Sequence, residues 1–339
     1  MNIRRVVENT LVPHSAFNTA KARLKQCLAN SKDSPEPIGL ALLGESRTGK
    51  SRVLEEAQME MTSTRDRKGA VVPILRVSVP SSPTVVGLSE EMLKELGDPK
   101  WEKGTRSRKS LRLHDLMRDC GVQMLMLDEF QHFVDKQSHL VYHDVTDWLK
   151  VLADKTRVAL VVAGLKSCEA VLLQNEQLSG RFQTPVFMPR FNWAIPDHRA
   201  EFCGILGAFT ESLSEEFDLP ALDSDEMAFR MWCATGGLMG YVTKLLRTAV
   251  WDALDSKNRS LTLDKLQAAY VASVWTATEV PVVAQPFSAG FSVIPSPDLI
   301  SRVLTIGVRH EPGDIPPPQR GRSKAPRQSL SRVLTATGA

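Results

Sequence analysis

Apolar and polar positions follow two rhythms along this chain, and the rhythm changes near residue 195. Before it, five short apolar runs at 38–43, 71–79, 122–127, 157–163 and 184–188 are each too short for a helix. Longer stretches between them, at 51–62, 84–96 and 142–155, carry apolar residues at helical spacing. Strands that alternate with helices predict a parallel sheet covered on both faces. The run Val122-Gln123-Met124-Leu125-Met126-Leu127 is nearly continuous in apolar character, as a strand buried on both sides should be. Beyond 195 only helical patterns recur, at 197–217, 223–235, 239–257 and 262–276. Asp197 and Ser224 are candidate N-caps, and Gly236-Gly237 breaks the chain between two of these helices. The pattern divides the chain into an N-terminal helical segment (1–36), an α/β core (37–195) with five parallel strands, a small all-helical lid (196–278) and a remainder (279–339).

That remainder loses periodicity. From Pro281 onward it holds nine of the 20 prolines, three of them consecutive at Pro316-Pro317-Pro318, and seven basic residues against three acidic ones. Such a segment buries too little apolar surface to fold alone. A flexible, Pro-rich basic tail is expected, with Phe287, Phe291, Leu299, Ile300 and Leu304 as short apolar clusters for docking. The five cysteines (Cys27, Cys120, Cys168, Cys203, Cys233) lack both the even count of a disulfide framework and the paired spacing of a zinc site. Reduced thiols are expected. The N-terminus lacks the apolar run of a signal peptide, and no apolar stretch approaches the roughly 20 residues of a bilayer span. These features predict a cytoplasmic protein with no membrane partner.

The candidate chemistry begins at Gly44-Glu45-Ser46-Arg47-Thr48-Gly49-Lys50-Ser51. Gly44 and Gly49 let the backbone curl until successive N–H groups point at phosphates. Lys50 brings positive charge to the β and γ groups, and Ser51 offers a hydroxyl to Mg²⁺. The motif follows an apolar run and opens a helical pattern, which is the context it requires, so ATP with Mg²⁺ is the expected cofactor. Asp128-Glu129 ends the third apolar run. Read alone, the pair also fits an ordinary acidic strand cap. Beside a phosphate loop, Asp128 is placed to hold magnesium and Glu129 to deprotonate the attacking water, which favours hydrolysis. A fourth feature is the basic run 100–118, with seven basic residues against Glu102 and Asp115 and with Trp101 beside it. Lys103, Arg106, Arg108 and Lys109 are its candidate contacts to nucleic acid phosphates, against the alternative of a solvated helix face.

With these motifs placed, the sequence resembles the AAA+ ATPases of DNA transposons, the TniB/TnsC family. The likeness spans most of residues 10–275. It rests on the extended phosphate loop, on Val79-Pro80-Ser81-Ser82-Pro83-Thr84 with Gly87-Leu88, on Leu96-Gly97-Asp98-Pro99, and on Leu125-Met126-Leu127-Asp128-Glu129-Phe130-Gln131-His132. Arg181-Phe182 resembles the arginine-finger motif, in which Arg181 serves the γ-phosphate of a neighbouring subunit. Thr235-Gly236-Gly237-Leu238-Met239-Gly240 resembles the start of the lid helix, which brings Gly237 near the adenine. The resemblance implies an ATPase that assembles with itself, as a hexameric ring or helical filament, on double-stranded DNA. It further implies partners on either side, a TniQ/TnsD-like target selector and a TniA/TnsB-like transposase.

Two departures from the family pattern stand out. The fourth run ends Val162-Ala163-Gly164-Leu165-Lys166, where a polar sensor residue is usual. The lid start lacks an arginine in its first turn, so a second sensor is either missing or supplied by Lys244 or Arg247. Both leave nucleotide binding intact and point to slow, regulatory hydrolysis. A replication-initiator or loader-type ATPase shares these motifs, and a nucleotide-switched signalling scaffold without DNA is the third reading.

Overall fold

The five apolar runs assemble into one parallel sheet in the computed structural model, which describes residues 3–67, 69–81, 83–133, 139–173, 176–274 and 282–308. Its strands are β1 (Gly39–Gly44), β2 (Ile74–Ser78), β3 (Met124–Asp128), β4 (Ala159–Gly164) and β5 (Val186–Met188), in the order β2-β3-β4-β1-β5. Every pairing is parallel. Alternation within each strand feeds two cores. Ala41, Leu43, Leu75, Leu125 and Leu127 face one side, and Leu40, Leu42, Ile74, Met124 and Met126 face the other. The first side is covered by α3 (Val85–Glu95), α4 (Arg106–Asp119) and α5 (His139–Thr156), the second by α1 (Ser15–Asp33) and α2 (Lys50–Glu60). Thr84 and Thr105 cap α3 and α4, each accepting a backbone N–H three residues on.

The run 71–79 is not one strand. Ala70–Val71 pairs antiparallel with Thr64–Arg65 in a separate hairpin, and β2 starts at Ile74. Pro73 makes the break, since it has no N–H for a ladder; its carbonyl accepts from the N–H groups of Gln123 (2.8 Å) and Met124 (3.1 Å).

The lid comprises α6 (Pro196–Ser214), α7 (Asp225–Thr235), α8 (Met239–Asp255) and α9 (Leu263–Ser273). Ser224 caps α7 as expected. Asp197 does not cap α6. Ile195 is the N-cap and Pro196 takes the first helical position, where its missing N–H costs nothing.

The Pro-rich segment departs most from expectation. Residues 282–307 fold onto the lid, and Val283, Phe287, Val303 and Ile306 are buried in its core. Phe291, Leu299, Ile300 and Leu304 pack against the same cluster, so the apolar residues of this stretch dock on the chain itself. The irregular backbone is held by side-chain donors of the lid: the Tyr270 hydroxyl donates to Val283 O (2.7 Å), and Arg230 Nη1 to Pro286 O and Ser288 O (both 2.8 Å). A short helix, α10 (Pro297–Val303), starts on a Ser296 cap. The compact unit that contains sheet and lid extends to Gly307. Flexibility expected from residue 279 therefore fails for 282–307, and the rest of the expected tail, 309–339, lies outside the described residues. All five cysteines are free, and among the described residues no helix is long and apolar enough to cross a membrane.

Phe287 is 1% exposed within the lid core. Phe287→Ala should cost about 3–5 kcal/mol of stability in denaturant unfolding of the full chain. A loss below about 1 kcal/mol would show that this stretch contributes nothing to the core.

Candidate nucleotide site

At the carboxyl end of β1 the chain turns through residues 45–49 before entering α2. Arg47 (φ 68°) and Gly49 (φ 98°) both take left-handed conformations, so the loop closes on itself, and Gly49 carries no side chain to oppose it. Thr48 is buried, its hydroxyl donating to Glu45 O (2.9 Å). The Lys50 ammonium lies inside this ring of backbone and donates to Gly44 O (3.0 Å) and Glu45 O (2.5 Å). Burial pulls Lys50 below the ordinary lysine range, while Glu129, Asp128 and, less strongly, Cys168 and Glu45 oppose that shift. A lysine, two acids and the N-terminus of a helix thus lie at the carboxyl ends of β1 and β3, where open α/β sheets place their ligands.

Asp128 is 6% exposed. Its Oδ1 accepts the Glu129 N–H (2.9 Å), and its Oδ2 accepts from Arg76 Nη2 on β2 (2.9 Å). Arg76 is absent from the sequence expectations; it also approaches Glu55 on α2 (3.5 Å) and fixes the carboxylate's orientation. Glu129 stands at φ 57°, a strained setting for a glutamate. Its Oε2 accepts from the Gln131 amide. The hydroxyl of Ser51 and the carboxylate of Asp128 are hard oxygen donors of the kind magnesium takes. Among the described residues no three His, Cys, Asp or Glu side chains cluster as a metal cage. An ion here would draw its remaining ligands from phosphate and water, which suits magnesium better than calcium or zinc.

Arg190, just after β5, is the second residue the sequence did not flag. It is 7% exposed and holds Glu45 of the phosphate loop through Nε (2.9 and 3.0 Å) and Nη2. Its Nη1 donates to Gly236 O (3.3 Å) at the end of α7 and to Ile306 O (3.0 Å) beyond α10. The lid meets the loop elsewhere too: the Gly240 N–H donates to Arg47 O (2.8 Å), and the Arg47 guanidinium lies over the Tyr241 ring at 4.5 Å. Gly237 is engaged differently, its carbonyl accepting from the Phe191 N–H (3.0 Å). The direct backbone contact from the lid to the phosphate loop is thus made by Gly240. Of the two candidate second sensors, Arg247 is occupied by Glu8 (3.4 Å) and the Trp251 ring, whereas Lys244 has no ion-pair partner among the described residues.

Arg181 precedes β5 and is 14% exposed, its guanidinium paired with Asp154 of α5 at 2.5 Å. The basic run is partly neutralised within the chain. Arg106 pairs with Asp144 and Arg112 with Asp98, and Arg118 reaches Asp115 and Asp119. Lys109 corrects the expectation outright. It is 3% exposed, bonded to Glu90 and to Glu102 O (2.8 Å), and cannot reach a nucleic acid backbone. Its position was legible, because Lys109, Leu113 and Met117 form the buried stripe of α4 at four-residue spacing. Lys103 and Arg108 remain exposed without ion-pair partners among the described residues.

A family model described as bacterial TniB protein matches residues 2–193. Among curated proteins, none matches the sequence. Among solved structures, the fold is similar to Cdc6p from Pyrobaculum aerophilum (TM-score 0.58, 14% identity, 82% of this chain and 74% of that one). It is similar as well to Aeropyrum pernix ORC1 in complex with DNA (0.56, 16%, 79% and 69%) and to ORC2 of the same organism in ADPNP–ADP complexes (0.55, 13%, 80% and 72%). At these identities the likeness concerns the fold.

Removing Arg190 strands two carbonyls and frees Glu45. Arg190→Met should lower stability by about 2–3 kcal/mol in denaturant unfolding. A change within about 0.5 kcal/mol would show that the guanidinium holds nothing together.

Proposed function

The chain belongs to the TniB family and is an ATPase with the AAA+ fold, and we propose that it regulates DNA transposition by assembling on duplex DNA with ATP. The observation that carries the ATP chemistry is that β1, leading into Lys50, and β3, ending in Asp128-Glu129, finish at the same edge of one parallel sheet on either side of β4. In this reading the loop 44–51 cradles the phosphates with its N–H groups, and Lys50 leaves the loop carbonyls for the β and γ groups. Ser51 and Asp128 would hold Mg²⁺, which would supply charge neutralisation for the phosphate oxygens, and Arg76 fixes the orientation of the Asp128 carboxylate. Glu129 takes a proton from the attacking water. Arg181 stabilises developing charge on the triphosphate of a neighbouring subunit after leaving Asp154, which ties hydrolysis to assembly.

Lys103 and Arg108, exposed beside the start of α4, are the proposed contacts to DNA phosphates. Arg106 joins them only by giving up Asp144, an exposed pair worth little. The self-assembly takes the form of a ring or filament that links a target selector to the transposase, with slow turnover timing its persistence. The family match favours this role over a replication initiator, which the fold likeness alone would equally support.

Glu129→Gln should bind ATP within about twofold of wild type yet lose hydrolysis by about 100-fold or more, since general-base catalysis contributes on that order. Wild-type turnover in this variant would assign the base elsewhere. For DNA, affinity for random duplex should fall with salt. Lys103→Ala with Arg108→Ala should flatten the logarithmic slope by about two units, roughly 0.9 per phosphate contact. Lys109→Ala should leave that slope unchanged and lower stability instead. An unaltered slope in the double variant would remove α4 from the DNA surface.

A further inference from the structure

β4 ends at Gly164, and its position in the sheet is telling. Gly164 is in register with Leu43, the residue before the phosphate loop, and β4 pairs on its other side with β3, which carries the acids. A side chain here would stand between the strand that leads into the phosphate loop and the strand that carries the acids. The chain has none, but the space is filled. A Cβ on Gly164 would lie 3.1 Å from Gln131 Oε1, 3.3 Å from Gln131 N and 2.6 Å from Cys168 Sγ. Gln131 reaches this place from the 3₁₀ turn Phe130–Phe133 that follows the acids.

The amide has one orientation available. An ionised carboxylate only accepts hydrogen bonds, so Gln131 turns its Nε2 toward Glu129 Oε2. Its Oε1 then faces the tip of β4. Gln131 is 6% exposed, and this oxygen is buried without a hydrogen-bond partner among the described residues. A buried acceptor left unpaired is costly, so a partner is to be expected when the site is working. A water molecule between Glu129 and the γ-phosphate fits that need, since it has two protons to give. One goes to the Glu129 carboxylate and the other is held by the amide oxygen.

We propose that Gln131 takes the place of the polar residue missing from β4. Through Nε2 it positions the Glu129 carboxylate, and through Oε1 it orients the attacking water. This assignment rests on Glu129 as the base. No bond to Gln131 forms or breaks: the proton passes from water to Glu129 while the hydroxyl attacks phosphorus and ADP departs.

Gln131→Met keeps the volume and removes both hydrogen bonds, Gln131→Ala removes both volume and bonds, and Gln131→Glu keeps the oxygen but replaces the donor with a charge. All three should lower kcat by about ten- to a hundredfold, the effect of a misplaced reacting group. Their affinity for ATP and ADP, measured by fluorescent nucleotide displacement, should stay within twofold of wild type. Binding of ADP with aluminium fluoride, a stand-in for the in-line transition state, should weaken at least tenfold in the full chain. Wild-type kcat in Gln131→Met, or parallel loss of ADP affinity and kcat, would reduce Gln131 to a packing residue and overturn the proposal. An inactive Glu129→Gln beside a fully active Gln131→Met would remove this inference alone, whereas an active Glu129→Gln would remove the base assignment beneath it.

Discussion

Arg190 carries five N–H donors in one rigid plane, and three distant parts of the chain supply their acceptors. Glu45 comes from the phosphate loop, Gly236 from the end of α7 and Ile306 from the segment beyond α10. A lysine would offer its charge to one of them at a time; the planar fork serves all three at fixed angles. Because the guanidinium is buried, each bond acts in a medium where losing it leaves an uncompensated group. The geometry of the loop that faces nucleotide is thus set partly by residues more than 140 positions away in sequence. Contacts of Arg47 with Gly240 and Tyr241 add a second attachment of loop to lid.

Two of the four non-glycine residues with left-handed backbone among the described residues flank the same site. Arg47 and Glu129 hold left-handed backbone that costs non-glycine residues on the order of 1–3 kcal/mol each. The surrounding packing makes this tolerable: β1, β3 and β4 are buried along their whole length. A rigid sheet with two cores therefore presents a loop and an acid in conformations that neither would adopt in isolation.

What was legible in the sequence is what is local in the chain. The phosphate loop, the acid pair and the strand–helix alternation are read within windows of ten residues, and the sheet formed from the predicted runs, save where Pro73 divides one. The contacts that complete the site are long-range. Arg76 meets Asp128 across 52 positions, and composition offers no sign of it. The Pro-rich stretch misled because low periodicity signals only that a segment makes no regular structure of its own. Its carbonyls found donors in Arg230 and Tyr270, and its few large apolar residues found a groove on the lid. Lys109 misled for the opposite reason. Its charge was counted, while its place on the apolar stripe of α4 was not.

The Arg190 clamp also has a bearing on how the protein is made. Synthesis runs from the N-terminus, so Glu45 and Arg190 leave the ribosome well before the stretch that holds Ile306. A nascent chain halted between them has a guanidinium one carbonyl short and a lid core still lacking Phe287, Val303 and Ile306. Until residue 306 is made, the phosphate loop therefore lacks one of the three acceptors that hold Arg190 in place.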